Sequence, residues 1–423
     1  MSRTRTDAIK GLVVGITASA LLFVRIPQAS RNFWTDDGAF FQDARNHGVV
    51  APFAHFYHGY LLTLNRALAA VSAAFPIRQA PVVLFALTGI TIGWCAATAF
   101  LTSRPWIVSI AGRLAMAVSI VALPSFGRAN IGSAAFLQFT MLFVALLVLL
   151  HENDSKWITA NSCAFLVTVG LSSLLAVALL PALFWRAVHR RRFLHDAVTM
   201  SFLAATAVQV IAIAVGRPSR PVSHLARSLR AVASGWVHNV VSDNVAPASS
   251  TFRPVLILGV VVLSVVVGSA VVAAVADRAL SIAGLLVGVP ALGLLVYTLS
   301  GVSQGVAERY TVFPALCLAW AVITSTDYLV VQSRQVMPSA RPVIAAVVAS
   351  LVLFGWVSGW RPSPARTSGA TWSNSLERGA RQCTHRAAGS DIRLPIDPAG
   401  WFIHLHCSAV RRLSLDAPYM SQR

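Results

Sequence analysis

Long apolar runs recur along this chain, and they constrain its fold more than any other feature. They cover residues 8–26, 80–102, 106–123, 134–150, 197–215, 254–276, 280–300, 309–326 and 342–360. A helix needs about 20 apolar residues to cross a bilayer, and each run is close to that length. Soluble domains contain about 25% charged residues, whereas this chain has 12%, with 56% hydrophobic residues. The sequence therefore predicts an all-α polytopic membrane protein.

Two further segments allow alternative topologies. Residues 59–75 are moderately apolar but include Asn65 and Arg66, and residues 157–185 are too long for one ordinary span and contain Gly170–Ser173. In the first interpretation, 59–75 lies flat on the outer interface and 157–185 is a hairpin of two short helices. In the second, 59–75 spans the membrane and 157–185 is one long tilted helix. Both give about eleven spans. We favour the first, because two polar side chains near the bilayer centre would cost a few kcal/mol each.

The arginine distribution indicates membrane contacts rather than nucleic-acid binding. The formal net charge is +19, yet Lys10 and Lys156 are the only lysines, and most arginines lie at the ends of apolar runs. Such positions are typical of cytoplasmic anchoring and lipid-headgroup contacts. The first apolar run continues past a signal-peptide-like start, which predicts an uncleaved anchor. We therefore expect a multi-pass plasma-membrane protein with a cytoplasmic N-terminus, an extracytoplasmic C-terminus and no nucleic-acid partner.

The domain organisation follows from the same pattern. Residues 1–360 form the predicted transmembrane domain, with a first outer loop at 27–79 and a later outer loop at 216–253. The arginines of the later loop fit either a basic amphipathic helix on anionic headgroups or contact with an anionic lipid-linked substrate. Residues 361–423 form a polar extracytoplasmic tail whose alternating pattern predicts a small β-hairpin. Cys383 and Cys407 flank this hairpin, and an oxidising exterior would allow them to form a disulfide.

A cluster of acidic residues follows the first apolar run. Asp36, Asp37 and Asp43 fall within eight residues, in a chain with only 15 Asp and Glu. A carboxylate in apolar surroundings at the membrane boundary suits a general base, because desolvation raises its pKa towards neutrality. Alternatively, Thr35, Asp36 or Asp37 caps a helix that runs to His47. One acid suffices for a cap, so two adjacent acids leave one for another role.

Basic and aromatic side chains near the predicted outer boundary are candidates for substrate binding. Arginine can bind a phosphate in a bidentate manner, so Arg309 at the mouth of a late span could hold an anionic leaving group. The alternative is that Arg309 reaches to the lipid headgroups and pairs with Glu308. The substrate-binding candidates are His55, His58, Arg66, Arg128, Arg309 and Tyr310.

Cofactor motifs are absent from the sequence. It contains no Walker loop, dinucleotide fingerprint or Ser/His/Asp arrangement, so ATP-driven and redox chemistry have no support. Oxygen ligands suit Mg²⁺ or Mn²⁺, but Asp36 and Asp37 have no further ligand at a fixed spacing. We therefore assign no residues to a metal site. Whether Mg²⁺ or Mn²⁺ binds stays open.

The layout resembles the bacterial membrane glycosyltransferases of the GT-C fold. The similar features are an N-terminal anchor, a first outer loop with adjacent acids (Trp34–Gly38) and interfacial helices, many spans, Arg309-Tyr310 before a late span with Pro314 after it, and an outer C-terminal segment. The resemblance implies a polyprenyl-phosphate sugar donor, a glycan or lipid acceptor in the cell envelope, and inversion at the anomeric carbon. By position, Asp36 or Asp37 would be the base, and Arg309 would steady the departing lipid phosphate. Alternative functions are a polymerase or ligase of lipid-linked glycans, and a flippase or transporter of them.

Overall fold

The computed structural model describes residues 3–54, 56, 60–123, 131–152, 155–189, 196–216, 236, 253–304, 308–358, 360 and 370–411. Most of these residues are helical. The helices are α1 (Arg3–Arg25), α2 (Asp36–His47), α3 (Thr63–Ala74), α4 (Ala80–Thr102), α5 (Ile110–Ala122), α6 (Leu137–Leu150), α7 (Lys156–Gly170), α8 (Leu180–His189), α9 (Ala197–Gly216), α10 (Arg253–Ala276), α11 (Leu280–Gln304), α12 (Val312–Asp327), α13 (Arg341–Ser358), α14 (Trp372–Cys383) and α15 (Cys407–Arg411). Two strands, β1 (Asp391–Ile396) and β2 (Trp401–His406), form an antiparallel hairpin.

Membrane-spanning helices dominate the described part of the chain. Five helical segments are long and apolar enough to cross a bilayer, and they belong to α1, α4, α9, α11 and α12. Shorter apolar helical segments cover Ile110–Ala122, Ala134–Leu150, Leu174–Val188, Val260–Ala276 and Arg341–Val357. The protein is thus a mostly helical integral membrane protein, as its composition predicts. The total of about eleven spans stays a prediction.

The antiparallel pair α1 and α4 defines the two ends of the bundle. A Cβ at Gly93 would lie 2.6 Å from the Gly15 carbonyl oxygen, so glycine permits this close helix crossing. Arg104, just after α4, forms an ion pair of 3.3 Å with Asp7 near the start of α1. The end of the bundle that contains Asp7 and Arg104 is called the N-terminal end. The opposite end, where α1 ends at Arg25, is called the loop end. In the first interpretation the residues after the run 80–102 lie on the same side as the N-terminus, and this placement of Arg104 agrees with it.

The segment 157–185 folds as a helical hairpin rather than a single helix. Helix α7 ends at Gly170, and a 3₁₀ helix (Leu174–Leu179) leads into α8. The Thr63 hydroxyl donates to the Leu171 carbonyl at 3.0 Å, so the hairpin turn lies beside the start of α3. Helix α3 has 12 residues, about 18 Å at 1.5 Å per residue, which is too short to span a bilayer. Both observations match the first interpretation.

Two carboxylates join loops at the N-terminal end. Arg186, which is 3% exposed, bonds Asp196 at 2.6 Å and the His151 carbonyl at 2.6 Å. Asp327 accepts hydrogen bonds from the main-chain N–H groups of Val108 and Ser109 at 2.8 and 3.0 Å, just before α5 begins. Charged groups satisfied in this way can be buried without a large energetic penalty.

An apolar cavity of about 360 Å³ lies among α5, α12 and α13. Ser109 and Asp327 line it, which places the cavity at the N-terminal end of the bundle. It is therefore remote from the acidic residues of the first loop and forms no part of the candidate site.

The C-terminal unit, residues 370–411, contains α14, the β-hairpin and α15. Cys383 and Cys407, the pair named from the sequence, are joined by a disulfide with Cα atoms 5.4 Å apart. One face of the hairpin is apolar and packs on α14, where a Cβ at Gly379 would lie 2.5 Å from Leu394. The opposite face is more exposed. The unit docks onto the first loop at the loop end of the bundle.

Candidate active site

Helix α2 presents the acidic residues of the first loop. It begins at Asp36 and ends at His47, the extent that the capping alternative predicts. Thr35 occupies the N-cap position, but its side chain makes no capping hydrogen bond. Phe41 of this helix stacks on Phe33 with ring centroids 4.5 Å apart, which fixes α2 against the chain that precedes it. The two adjacent acids therefore begin a helix whose orientation is set by packing.

Asp37 binds the start of another helix. Its carboxylate is 4% exposed and accepts hydrogen bonds from the Ser133 hydroxyl at 3.0 Å, the Ala135 N–H at 2.8 Å and the Ala134 N–H at 3.2 Å. These donors lie at the N-terminus of the 3₁₀ turn Ala134–Phe136, which continues directly into α6. A carboxylate at a helix N-terminus satisfies otherwise unbonded N–H groups and interacts favourably with the helix dipole. Asp37 thus caps a helix distant in sequence.

Asp36 occupies a different environment. It is the first residue of α2 and is partly exposed, whereas Asp37 is buried. The three hydrogen bonds and the deeper burial give Asp37 a capping role. A role for Asp36 or Asp37 as the base stays a prediction.

Asp43, the third acid of the cluster, pairs with Arg66. The Arg66 guanidinium is 5% exposed and lies 2.9 Å from the Asp43 carboxylate. It also donates to the Pro52 carbonyl, and His47 Nδ1 lies 3.0 Å from Asp43. Arg66 thereby joins α3 to α2 and to the short 3₁₀ helix Ala51–Ala54. These partners belong to the protein itself, and a substrate contact for Arg66 stays a prediction.

Tyr310 lies close to the helix that Asp37 caps. The 3₁₀ turn Glu308–Thr311 precedes α12, and the buried Tyr310 ring packs edge-on against Phe139 with centroids 5.5 Å apart. Phe139 lies in the first turn of α6, five residues after Ala134. Asn65 of α3 also donates to the Ala134 carbonyl. The first loop and the Glu308–Thr311 turn therefore both contact the start of α6.

Several predicted site residues have no described side chain. His55, His58 and Arg128 lie outside the described residues, and Arg309 is described only as part of the backbone of the Glu308–Thr311 turn. Of the later loop, Trp236 is described, and its ring packs 5.5 Å from that of Tyr297. Within the described ranges, no group of three His, Cys, Asp or Glu residues could hold a metal ion. Binding roles for these side chains stay predictions.

The sequence reasoning missed Ser133 and Trp372 as partners of the first loop. Ser133 directly follows Gly132, and a glycine is a sequence signal for a turn. In the structure Gly132 has a positive φ of 77°, a conformation that favours glycine. Its partner, Asp37, was not detectable, because 96 residues separate the two. Trp372 begins the C-terminal unit and packs against Phe33 at 5.0 Å.

One solved structure provides a comparison for the whole fold. The chain is similar to the crystal structure of ArnT from Cupriavidus metallidurans bound to undecaprenyl phosphate, with a TM-score of 0.49 and 12% sequence identity. The match covers 89% of this chain and 81% of that chain. No family model matches the sequence, and no curated protein matches it.

Proposed function

We propose that this protein is an integral membrane glycosyltransferase. It moves a sugar from a polyprenyl-phosphate donor to a hydroxyl group of an envelope glycan or lipid, with the loop end of the bundle on the extracytoplasmic side. The observation that supports this most strongly is that the acidic first loop and the Glu308–Thr311 turn both contact the start of α6. Two segments with the required chemistry, one acidic and one basic, thus lie beside the same helix terminus.

Asp36 is the proposed general base. Its carboxylate takes the proton of the acceptor hydroxyl while the hydroxyl oxygen attacks the anomeric carbon of the donor. The bond from that carbon to the phosphate oxygen breaks, and the polyprenyl phosphate leaves with the electron pair. Attack from the face opposite the phosphate inverts the anomeric centre. A positioned base typically contributes about 10²–10⁴-fold to such a step.

Arg309 is the proposed partner of the departing phosphate. Negative charge develops on the phosphate as the bond to the sugar breaks, and a fixed guanidinium stabilises that charge. The burial of Tyr310 against Phe139 supports this role, because it holds the turn that contains Arg309 beside α6. The predicted contacts of His55, His58 and Arg128 with the substrate belong to the same proposal.

Transfer assays with matched variants test the proposal. Membranes containing the protein are incubated with undecaprenyl phosphate carrying radiolabelled hexoses or pentoses and with an envelope acceptor fraction. We expect label to move to the acceptor and Asp36→Asn to slow the transfer at least about 100-fold while insertion is retained. Asp277→Asn makes the same chemical change at the N-terminal end of the bundle and is the control.

Three outcomes would contradict the proposal. Full activity of Asp36→Asn would remove the base assignment. Movement of intact lipid-linked glycan across the membrane without cleavage of the sugar–phosphate bond would instead identify a flippase. Transfer of a preassembled oligosaccharide, but not of a single sugar, would identify the ligase or polymerase alternative.

A further inference from the structure

The C-terminal unit holds the main chain directly before Asp36. The Thr35 N–H donates to the Asp397 carbonyl at 2.8 Å, and the Asp397 N–H donates to the Phe33 carbonyl at 3.0 Å. These bonds form a parallel bridge between Trp34 and Asp397. The Trp372 N–H also donates to the Arg31 carbonyl at 2.9 Å. The segment 31–35 therefore pairs with two separate parts of the C-terminal unit.

Side chains reinforce this pairing. Trp372 is 2% exposed, and its indole N–H donates to the Ile77 carbonyl at 2.7 Å. The Asn32 side-chain amide donates to the Ala370 carbonyl at 2.7 Å, and its oxygen accepts the Phe33 N–H at 2.8 Å. A buried aromatic anchor that also makes a hydrogen bond fixes position as well as contributing apolar contact.

Helix α2 rests on the β-hairpin along most of its length. A Cβ at Gly38 would lie 2.5 Å from Ile396 and 2.8 Å from Ile403, so only glycine fits this contact without a shift. One and two turns later, the Gln42 side chain accepts the His404 N–H at 2.6 Å, and the Asn46 side chain donates to the His404 carbonyl at 3.0 Å. Residues four apart share one helix face, so a continuous face of α2 is bound.

The residue between these two contact regions has a strained backbone. Thr35 has φ 37° and ψ −117°, a conformation that a β-branched residue rarely adopts. Its hydroxyl is buried and has no hydrogen-bond partner among the described residues. Such conformations persist where the surroundings over-determine them, and they are concentrated at functional sites. At Thr35, the Asp397 carbonyl binds the N–H of the residue, and the β-hairpin packs against α2, which begins at the next residue. These two contacts impose the positive φ of Thr35.

We propose that the C-terminal unit is a clamp that aims the Asp36 carboxylate, with Thr35 as the positioning residue through which it acts. This inference rests on the proposed function, in which Asp36 is the base. A base must lie within hydrogen-bond reach of the proton that it removes, and a misplacement of about 1 Å can lower a rate by about 100-fold. The disulfide between Cys383 and Cys407 closes the clamp by joining the end of α14 to the start of α15, directly after β2.

Thr35→Gly is the direct test of positioning. Glycine adopts a positive φ without strain, so we expect the thermal unfolding midpoint to be unchanged or raised. The freed backbone should lower kcat for sugar transfer about 10-fold or more while the KM for the donor stays the same. Arg278→Gly is the matched control, because Arg278 also has a positive φ, 59°, but lies at the N-terminal end. An unchanged kcat for Thr35→Gly would overturn the inference.

Hydrogen exchange provides a test that does not depend on transfer. In the full-length protein in nanodiscs, the amide of Thr35 should be protected, and paired Cys383→Ser and Cys407→Ser substitutions should speed its exchange and lower kcat together. Unchanged exchange at Thr35 in the paired variant would overturn the clamp even if Asp36 is the base. If exchange is faster in the paired cysteine variant but Asp36→Asn keeps full transfer, the base assignment is rejected. The proposed role of the C-terminal unit in orienting Asp36 is then rejected as well.

Discussion

The Asp37 carboxylate and the Ser133 hydroxyl lie 3.0 Å apart, although 96 residues separate them in the sequence. The two main-chain N–H groups that follow Ser133 bind the same carboxylate. This contact joins the first loop to the start of α6 and holds the Asp37 carboxylate, whereas the neighbouring Asp36 is partly exposed. The two adjacent acids should therefore respond differently to the same substitution.

Asp37→Asn should destabilise the protein. The amide keeps the shape of the carboxylate but loses its charge and one acceptor oxygen, so at least one buried N–H loses its bond. Loss of a buried charged hydrogen-bond partner costs about 1–3 kcal/mol. We expect a lower thermal unfolding midpoint and a smaller loss for Ser133→Ala, measured on purified protein in detergent. Asp36→Asn, at the partly exposed neighbouring position, should lower the midpoint less than Asp37→Asn. Equal midpoints for Asp37→Asn and the wild type would contradict the capping role.

The parts of the fold that the sequence predicts are those set by local pattern. The apolar runs indicate the spanning helices, and Gly170 followed by two serines near the middle of a long run marks the hairpin between α7 and α8. Alternating residues around a Pro/Gly turn predict the strands β1 and β2. In each case the decisive residues lie within a few positions of one another.

The parts that sequence reasoning did not reach depend on contacts between distant segments. Which of Asp36 and Asp37 is bound depends on Ser133, and the position of the tail depends on how Trp372 and Asp397 meet the first loop. The pairing of Arg66 with Asp43 likewise requires α3 to pack on α2. No local sequence pattern predicts these contacts. The sequence therefore identifies the acids as candidates but does not distinguish their roles.

Arg66→Ala should be destabilising. Arg66 is 5% exposed and pairs at 2.9 Å with Asp43, whose side chain is 24% exposed, so its removal leaves a partly buried carboxylate without this counter-charge. Loss of a hydrogen bond to a charged group costs about 1.5–3 kcal/mol. The free energy of unfolding should fall by that order in denaturant titrations. The double variant Arg66→Ala with Asp43→Ala should lose less than the sum of the two single variants, and additive losses would show that the pair is not coupled.

Asp277 should make stability depend on pH in the acidic range. It lies after α10, and the Tyr328 hydroxyl at 2.9 Å is the largest cause of its lowered pKa, with further hydrogen bonds from Gln335 and the Arg334 N–H. A carboxyl whose pKa is lower in the folded state stabilises the protein at pH values above its unfolded pKa, about 3.9. That contribution is lost as the pH falls through the folded-state pKa. Asp277→Asn should therefore flatten the acidic limb of a plot of unfolding midpoint against pH. An unchanged acidic limb would show that Asp277 does not contribute to it.

Gly93→Ala should separate α1 from α4. The added Cβ would lie 2.6 Å from the Gly15 carbonyl oxygen, which is main chain and cannot rotate away. Overpacking of this kind typically costs about 1–3 kcal/mol, so the unfolding midpoint should fall. Gly268→Ala in α10 is the matched control, because nothing lies within 4 Å of the Cβ that it would add. In a helix interior that change is expected to be neutral or slightly stabilising. If both substitutions leave the midpoint unchanged, the close crossing of α1 and α4 does not limit the stability of the bundle.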